Sequence, residues 1–574
     1  MKESTLAILL FAASFFVFCQ HLDRHGLEWR DDEIFYYQST REMLQEHNYF
    51  SPTYFGENRF QKPILFYWLI LAAYQLLGVN WVAARIVAVI AASLVVVLTY
   101  AIGRELFGRR LGVLSSLIVA TIPLFFRHAK NAVPDMTLDL FIVLAMYLAL
   151  KFFREPQRPI YRTWFFLACA LGFMIKGFAA LVIPLLSVLI YGGLMQEKNV
   201  LKRFNFPLGI MLILAVILPW FLYMMKVHGD TYTHYVLKAE TMNRLVAESP
   251  EPFPVKIGKT FLANSWFYVK TIFSYFAPWS AFAVVAVPWS FVALARKPGL
   301  RKDWLFPVVW FWVAFLFFSF IFARINHLIL VLTTPFAIIM SGFFLEEFSP
   351  AHWAGKGLAF VKKFAVIFLV ALGSLGLSFL RVFLAGQSGL WLWVYFAVFV
   401  LGLGVVLKSR SAAAVPAVMG GFLVFSLLQS GLVSDVGLTA HSVLQKFAEK
   451  IEAAPPESRV IGVGSNDIHE KEWQVYFTDP VLKVANDEIP ETEAGLRKLF
   501  ADGAGKTVYC LMLRRDYENF QKTALPAKIE VIAQELIFRR RIYVDKGFFL
   551  SILKLDRSRV QATMMEPVVL LRKG

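Results

Sequence analysis

Apolar runs return again and again along the first 430 residues, too many and too long for any soluble core. A helix needs about 20 apolar residues to cross the hydrocarbon of a bilayer. The candidate spans are Leu6–Phe18, Trp81–Tyr100, Leu111–Phe126, Met136–Phe153, Thr163–Phe173, Phe178–Leu194, Phe206–Met225, Pro278–Leu294, Trp304–Phe322, His327–Phe344, Phe364–Phe379, Leu390–Leu407 and Ala412–Leu428. Composition agrees, with 58% hydrophobic and only 17% charged residues, against about 45–50% and 25% in soluble domains. The expected class is a polytopic α-helical membrane protein of about thirteen spans.

Charge decides how the spans are threaded. Pro63–Leu77 is apolar but short. If it crossed together with Trp81–Tyr100, Arg104, Arg109 and Arg110 would face away from the cytosol. Lys and Arg gather on the cytoplasmic side, so Pro63–Leu77 is expected along the interface, with Tyr67 and Trp68 at headgroup depth. The remaining inner turns then hold Lys151, Arg154, Arg158 and Arg162; Lys198, Lys202 and Arg203; Arg296, Lys297, Arg301 and Lys302; Lys356, Lys362 and Lys363; Lys408 and Arg410. The alternation needs no exception. An odd number of spans puts the C-terminal segment outside.

Met1–Cys19 has no small-x-small cleavage site and is expected to stay as the first span. Cys19, Cys169 and Cys510 are far apart and give neither a disulfide framework nor a metal cluster. The net charge of +17 follows largely from the inner turns. No basic stripe with base-stacking aromatics is present, so nucleic acid is not expected as a partner.

Two domains are expected. Residues 1–430 form the membrane domain, with outer loops at 21–62 and 226–277. Residues 431–574 form a soluble α/β domain, since charge rises and helical and strand patterns alternate there. Strands are expected at Arg459–Val463, Trp473–Phe477, Val481–Ala485, Thr507–Leu513, Lys528–Ile537 and Phe548–Lys554. Helices are expected at Ser442–Ala453, Glu491–Phe500 and Arg515–Phe520. Gly462 and Gly464 lack the third glycine of a dinucleotide fingerprint.

The outer turns hold charges that need a reason. Asp31, Asp32 and Glu33 stand in a row after the first span. Lys62 closes the same loop. Arg127, His128 and Lys130 precede Asp135, Lys176 sits in a tight outer turn, Arg244 lies in the long loop, and His327 begins a later span. Each cation alone reads as a headgroup contact or an ion pair, and Asp135 alone as a helix N-terminal complement. Asp135 could also order a lysine such as Lys62. Together they form a coherent set. Cations hold a lipid phosphate and stabilise charge building on it as a glycosidic bond breaks. A carboxylate takes the proton of an incoming hydroxyl and favours an oxocarbenium-like centre.

The ordered segments Asp32-Glu33-Ile34-Phe35-Tyr36-Tyr37, Gln61-Lys62-Pro63-Ile64-Leu65-Phe66-Tyr67-Trp68, Gly103-Arg104-Glu105-Leu106-Phe107-Gly108, Pro134-Asp135-Met136 and Ile175-Lys176-Gly177 resemble the bacterial aminoarabinose transferase and protein mannosyltransferase-like group. The resemblance is strongest over the first two hundred residues. It implies the C-type glycosyltransferase fold and transfer of a sugar from a polyprenyl phosphate at the periplasmic face of the inner membrane, without a nucleotide sugar. It implies Asp32 as catalytic carboxylate with Glu33 in support, and Lys62, Lys176 and Arg244 on the donor phosphate. Asp31, Tyr36, Gln61 and Asp135 support the site. Gln61 stands where the group has Glu, which weakens an inherited metal site, and Phe35 stands where it often has Arg. No cofactor is assigned, and a divalent cation stays open. The expected acceptor is lipid A or another envelope glycolipid. Protein O-glycosylation, a flippase for polyprenyl-linked sugars without chemistry, and a non-catalytic assembly factor are the alternatives. The sugar, the acceptor and the oligomeric state are not legible.

Overall fold

The computed structural model describes residues 2–23, 32–235, 253–296, 301–321, 324–345, 356–379, 390–408, 414–428, 447–448, 450–451, 459–463, 507–521, 529–538 and 556–573. The chain divides into two compact units. The first comprises Met1–Leu22, Phe35–Ala371 and Phe399–Leu428, and the second Asp23–Ile34, Leu372–Val398 and Gln429–Gly574.

The first unit is helical. Its opening elements are α1 (Glu3–Cys19), α2 (Glu33–Gln45), the hairpin β1 (Thr53–Tyr54) and β2 (Glu57–Asn58), α3 (Leu65–Leu77), α4 (Trp81–Phe107), α5 (Arg109–Thr121), α6 (Pro123–His128), α7 (Pro134–Arg154), α8 (Pro159–Lys176), α9 (Ala179–Leu194), α10 (Lys198–Phe204) and α11 (Phe206–His234). Later helices are Phe253–Tyr275, Ala283–Arg296, Arg301–Phe320, Thr333–Leu345, Lys356–Phe379, Leu390–Lys408 and Ala414–Leu428. Every expected span thus has helix at its place. Five described helices are both long and apolar enough to cross a bilayer, among them α4 and α7. The chain is a multi-pass membrane protein.

Local chemistry sets the boundaries. Asn80 caps α4 by accepting the Ala83 amide at 2.8 Å, and Gly108, at φ +90°, ends it. The expected span Leu111–Phe126 is broken by Pro123, so α5 stops at Thr121 and α6 carries on. A Cβ on Gly103 would lie 2.9 Å from Gly112 Cα, and one on Gly112 would lie 2.6 Å from the Tyr100 carbonyl oxygen. Two glycines therefore let the backbones of α4 and α5 touch, the small-residue contact that membrane helices favour.

Several expectations change. The outer loop 226–277 is helical at both ends, because α11 runs to His234 past a kink at Gly229 and a further helix starts at Phe253. Tyr67 does not face the surroundings of the protein. It is fully buried and accepts a hydrogen bond from Arg59 Nε at 3.0 Å. The outer loop 21–62 is helical over Glu33–Gln45.

In the second unit the strands Arg459–Val463 (β3), Thr507–Leu513 (β4), Ile529–Phe538 (β5) and Met565–Lys573 (β6) form one sheet in the order β3-β4-β6-β5. β3 and β4 are parallel, and the other pairs antiparallel, with Cys510 opposite Leu571. Val508, Cys510, Met512, Val569 and Leu571 face one core with Tyr517, the alternation that a half-buried sheet requires. The expected strands Trp473–Phe477, Val481–Ala485 and Phe548–Lys554 and the helix Glu491–Phe500 lie outside the described residues. So does most of Ser442–Ala453.

Candidate active site

Helices α7 and α8 pack as an antiparallel hairpin, so the first turn of α7 meets the last turn of α8. Pro134 opens α7, where a missing amide hydrogen costs nothing, and Asp135 follows in the first turn. Lys176 is the last residue of α8, and Gly177 at φ +99° stops it. Acid at a helix start and base at a helix end both suit the helix dipole. The hairpin brings them together. Lys176 Nζ donates to Asp135 Oδ1, with side-chain exposures of only 12% and 7%.

Two histidines complete the cluster. A 3-10 segment, Asn326–Leu332, carries His327, whose Nε2 lies 3.7 Å from Asp135 Oδ1. That distance is too long for a hydrogen bond and short enough for charge interaction. The His128 ring stands 5.6 Å from the His327 ring at 63°. His128 is buried, and burial holds its pKa down to about 3. Its Nδ1 has no hydrogen-bond partner among the described residues. One helical turn beyond Asp135, Asp139 is fully buried and neither carboxylate oxygen has a partner among the described residues.

The opposite ends of the same helices are built differently. Lys151 pairs with Glu155 at 2.8 Å and Glu105 at 3.6 Å. Arg154 pairs with Glu105 at 3.5 Å and Asp303 at 2.8 Å. Lys302 meets Glu197 at 2.6 Å, and Arg104 meets Glu3 at 3.4 Å. At 1.5 Å per residue, Asp135 and Arg154 are about 28 Å apart along α7, roughly the thickness of the hydrocarbon. The Asp135–Lys176 cluster and the basic belt therefore occupy opposite ends of spanning helices, as the charge alternation requires.

The other expected site residues fall as follows. Asp32 is exposed and directly precedes α2, and Glu33, the first residue of α2, is fully buried; both belong to the second unit. In the first unit, Tyr36 is buried against Phe66 and Tyr67. Lys62 is half-buried and donates to the Gln61 carbonyl at 2.9 Å. Gln61 Oε1 is buried with no partner among the described residues. Asp135 orders Lys176, not Lys62, because the α7–α8 hairpin fixes which lysine it meets. Asp31 and Arg244 lie outside the described residues. His128 and Asp139 were not singled out from sequence as site residues. A carboxylate four residues after Asp135, on the same helix face, was the available signal for the second.

Among the described residues no group of three or more His, Cys, Asp or Glu side chains has the arrangement of a metal site.

Comparison with solved structures decides the architecture. The chain superposes on ArnT from Cupriavidus metallidurans bound to undecaprenyl phosphate with a TM-score of 0.67, over 99% of this chain and 98% of that one, at 18% identity. The fold is that of the C-type glycosyltransferases. Residues 61–223 match the dolichyl-phosphate-mannose-protein mannosyltransferase family, the stretch that holds Gln61, Lys62, Asp135 and Lys176. An uncharacterized protein of Aquifex aeolicus is 30% identical over 61% of this chain and 65% of its own length. An undecaprenyl phosphate-alpha-4-amino-4-deoxy-L-arabinose arabinosyl transferase of Photorhabdus laumondii is 28% identical over 58% of each. The chain thus covers less than two thirds of these relatives' lengths. The resemblance read from the motifs holds, and a C-type glycosyltransferase fold with a buried acid–lysine pair is what the candidate site has to work with.

Proposed function

We propose that this protein is a glycosyltransferase that moves a sugar from a polyprenyl phosphate to lipid A or another envelope glycolipid at the periplasmic face of the bacterial inner membrane. The observation that carries the reading is the Lys176–Asp135 pair, buried at the helix ends opposite the basic belt. A buried ammonium held by a carboxylate is positioned to meet a second anion at fixed height in the membrane. The relative of Photorhabdus laumondii, by its name, uses an undecaprenyl phosphate sugar, which is the donor chemistry this pair suits. Residues 1–430 serve as the transferase domain and 431–574 as a periplasmic α/β domain.

The donor's anomeric C–O bond to phosphate breaks, and the hydroxyl oxygen of the acceptor bonds to that carbon. The acceptor's proton goes to the Asp32 carboxylate, supported by Glu33. The leaving polyprenyl phosphate takes its negative charge to Lys176 and Lys62, with Arg244 as a third cation. Asp135 orients Lys176, and Asp31, Tyr36 and Gln61 support the site. Electrostatic stabilisation of the leaving phosphate is the larger contribution.

Purified protein in lipid nanodiscs should form glycosylated product from a polyprenyl-phosphate sugar. Asp32→Asn should abolish product while expression and thermal stability stay unchanged. Turnover of Asp32→Asn at the wild-type rate would overturn the assignment. A wild-type protein that exchanges the lipid between leaflets without forming product would identify a flippase instead.

A further inference from the structure

Among the described residues, Arg59 is a buried cation without a counter-charge. It is 8% exposed, and a guanidinium cannot lose its proton in a protein. Its contacts are all to neutral groups. Nε donates to the Tyr67 hydroxyl at 3.0 Å, and Tyr36 also hydrogen-bonds the guanidinium. Its central carbon lies 4.4 Å from the Phe35 ring centre and 5.4 Å from that of Tyr36. Among the described residues no carboxylate lies within ion-pair distance of it. Lys176, a little less enclosed, has Asp135. Rings and phenols orient a guanidinium but do not neutralise it, and buried charge is ordinarily paired.

The surroundings are rigid and lead outward. Phe35 meets Tyr54 at 4.9 Å, and Tyr54 meets Phe55 at 4.7 Å, so half-buried aromatic rings run from the guanidinium to the β1–β2 hairpin. Glu42 fixes that hairpin: its carboxylate accepts from Thr53 Oγ1 at 2.6 Å and from the amides of Phe55 at 2.7 Å and Gly56 at 3.3 Å. Lys62 follows three residues after Arg59. A fork of nitrogen donors, a nearby lysine and flat apolar rings suit a phosphate carried on a sugar. The guanidinium takes the phosphate bidentately, and the rings cover the sugar's apolar face.

We infer that Arg59 is an anion-binding residue that holds the phosphate of a phosphoglycolipid substrate. The inference rests on the proposed function for the substrate class, but not for the anion chemistry. The phosphate belongs either to the polyprenyl donor or to a phosphorylated glycolipid acceptor.

The experiment measures binding without turnover. Wild-type protein, R59Q and R59K in nanodiscs are titrated with undecaprenyl phosphate and, separately, with a phosphorylated glycolipid and its dephosphorylated form. R59Q should lose at least tenfold in affinity for one phosphate ligand, and R59K should recover only part of it. The dephosphorylated glycolipid should bind both proteins alike. Loss with undecaprenyl phosphate assigns Arg59 to the donor, and loss with the glycolipid assigns it to the acceptor. If R59Q binds both phosphate ligands within twofold of wild type, the inference is overturned. If R59Q is not recovered folded, R59K decides, because a lysine keeps the charge and loses the fork: unchanged affinity for both ligands overturns the inference. Tight phosphate binding lost in R59Q, in a protein that never forms product, would sink the transferase reading and leave this one standing.

Discussion

Removing one member of the Asp135–Lys176 pair should cost nearly as much as removing both. The two side chains are 7% and 12% exposed, so neither orphan can be rescued by bulk water. Breaking a buried pair from one side costs about 3–5 kcal/mol, because an uncompensated charge stays behind. Lys176→Met leaves Asp135 with His327 at 3.7 Å, which places this variant near the lower figure, about 3 kcal/mol. Asp135→Asn strands the ammonium without a carboxylate and should cost about 4 kcal/mol. The double variant holds neither charge, and its loss should stay near that of the worse single, which gives a coupling energy of about 3 kcal/mol. Denaturant titration of the four proteins in detergent micelles, followed by tryptophan fluorescence, measures the cycle. Single losses that add in the double variant to within about 0.5 kcal/mol would show that the two groups do not interact, and the site as drawn would fail.

Two further outcomes follow from the geometry. His128 is neutral in the folded protein down to about pH 3, while in the unfolded chain it takes a proton below about pH 6.5. Between these values the unfolded state binds the extra proton, so stability should fall as pH drops from 6.5 towards 3, by up to about 1.4 kcal/mol per pH unit. Unfolding measured against pH should show that slope reduced in His128→Phe. Gly112→Ala should destabilise by roughly 1–3 kcal/mol, since its Cβ would meet backbone atoms of Tyr100 and Arg104 at 2.6 and 2.9 Å. A melting temperature equal to wild type would mean that α4 and α5 can separate freely.

The spans could be read because lipid demands long apolar runs, and the separation of the basic belt from Asp135 and Lys176 because Lys and Arg gather in alternate turns. The pairing inside those turns could not. Glu105, Glu197 and Asp303 neutralise the belt through residues far apart in sequence. Helix α2 was underestimated because Gln38, Ser39, Thr40 and Glu42 are polar yet buried, which removes the apolar periodicity that announces a helix. Asp135 and Lys176 stood out individually beside Pro134 and Gly177, but their partnership depends on the α7–α8 hairpin. Arg59 gave no signal, since a single arginine between Asn58 and Phe60 matches no motif. In the second unit, β4 and β5 were evident from their apolar content, whereas β6 closes with Arg572 and Lys573 and opens with Glu566 among its residues, too polar at both ends to stand out.

Helices α7 and α8 are tied down at both membrane boundaries, by the acid–lysine pair above and by the belt of Lys151 and Arg154 below. The hairpin is thereby joined by charge at both of its ends. On the proposed function, the place of Lys176 at the end of α8 sets the level at which the donor phosphate is met.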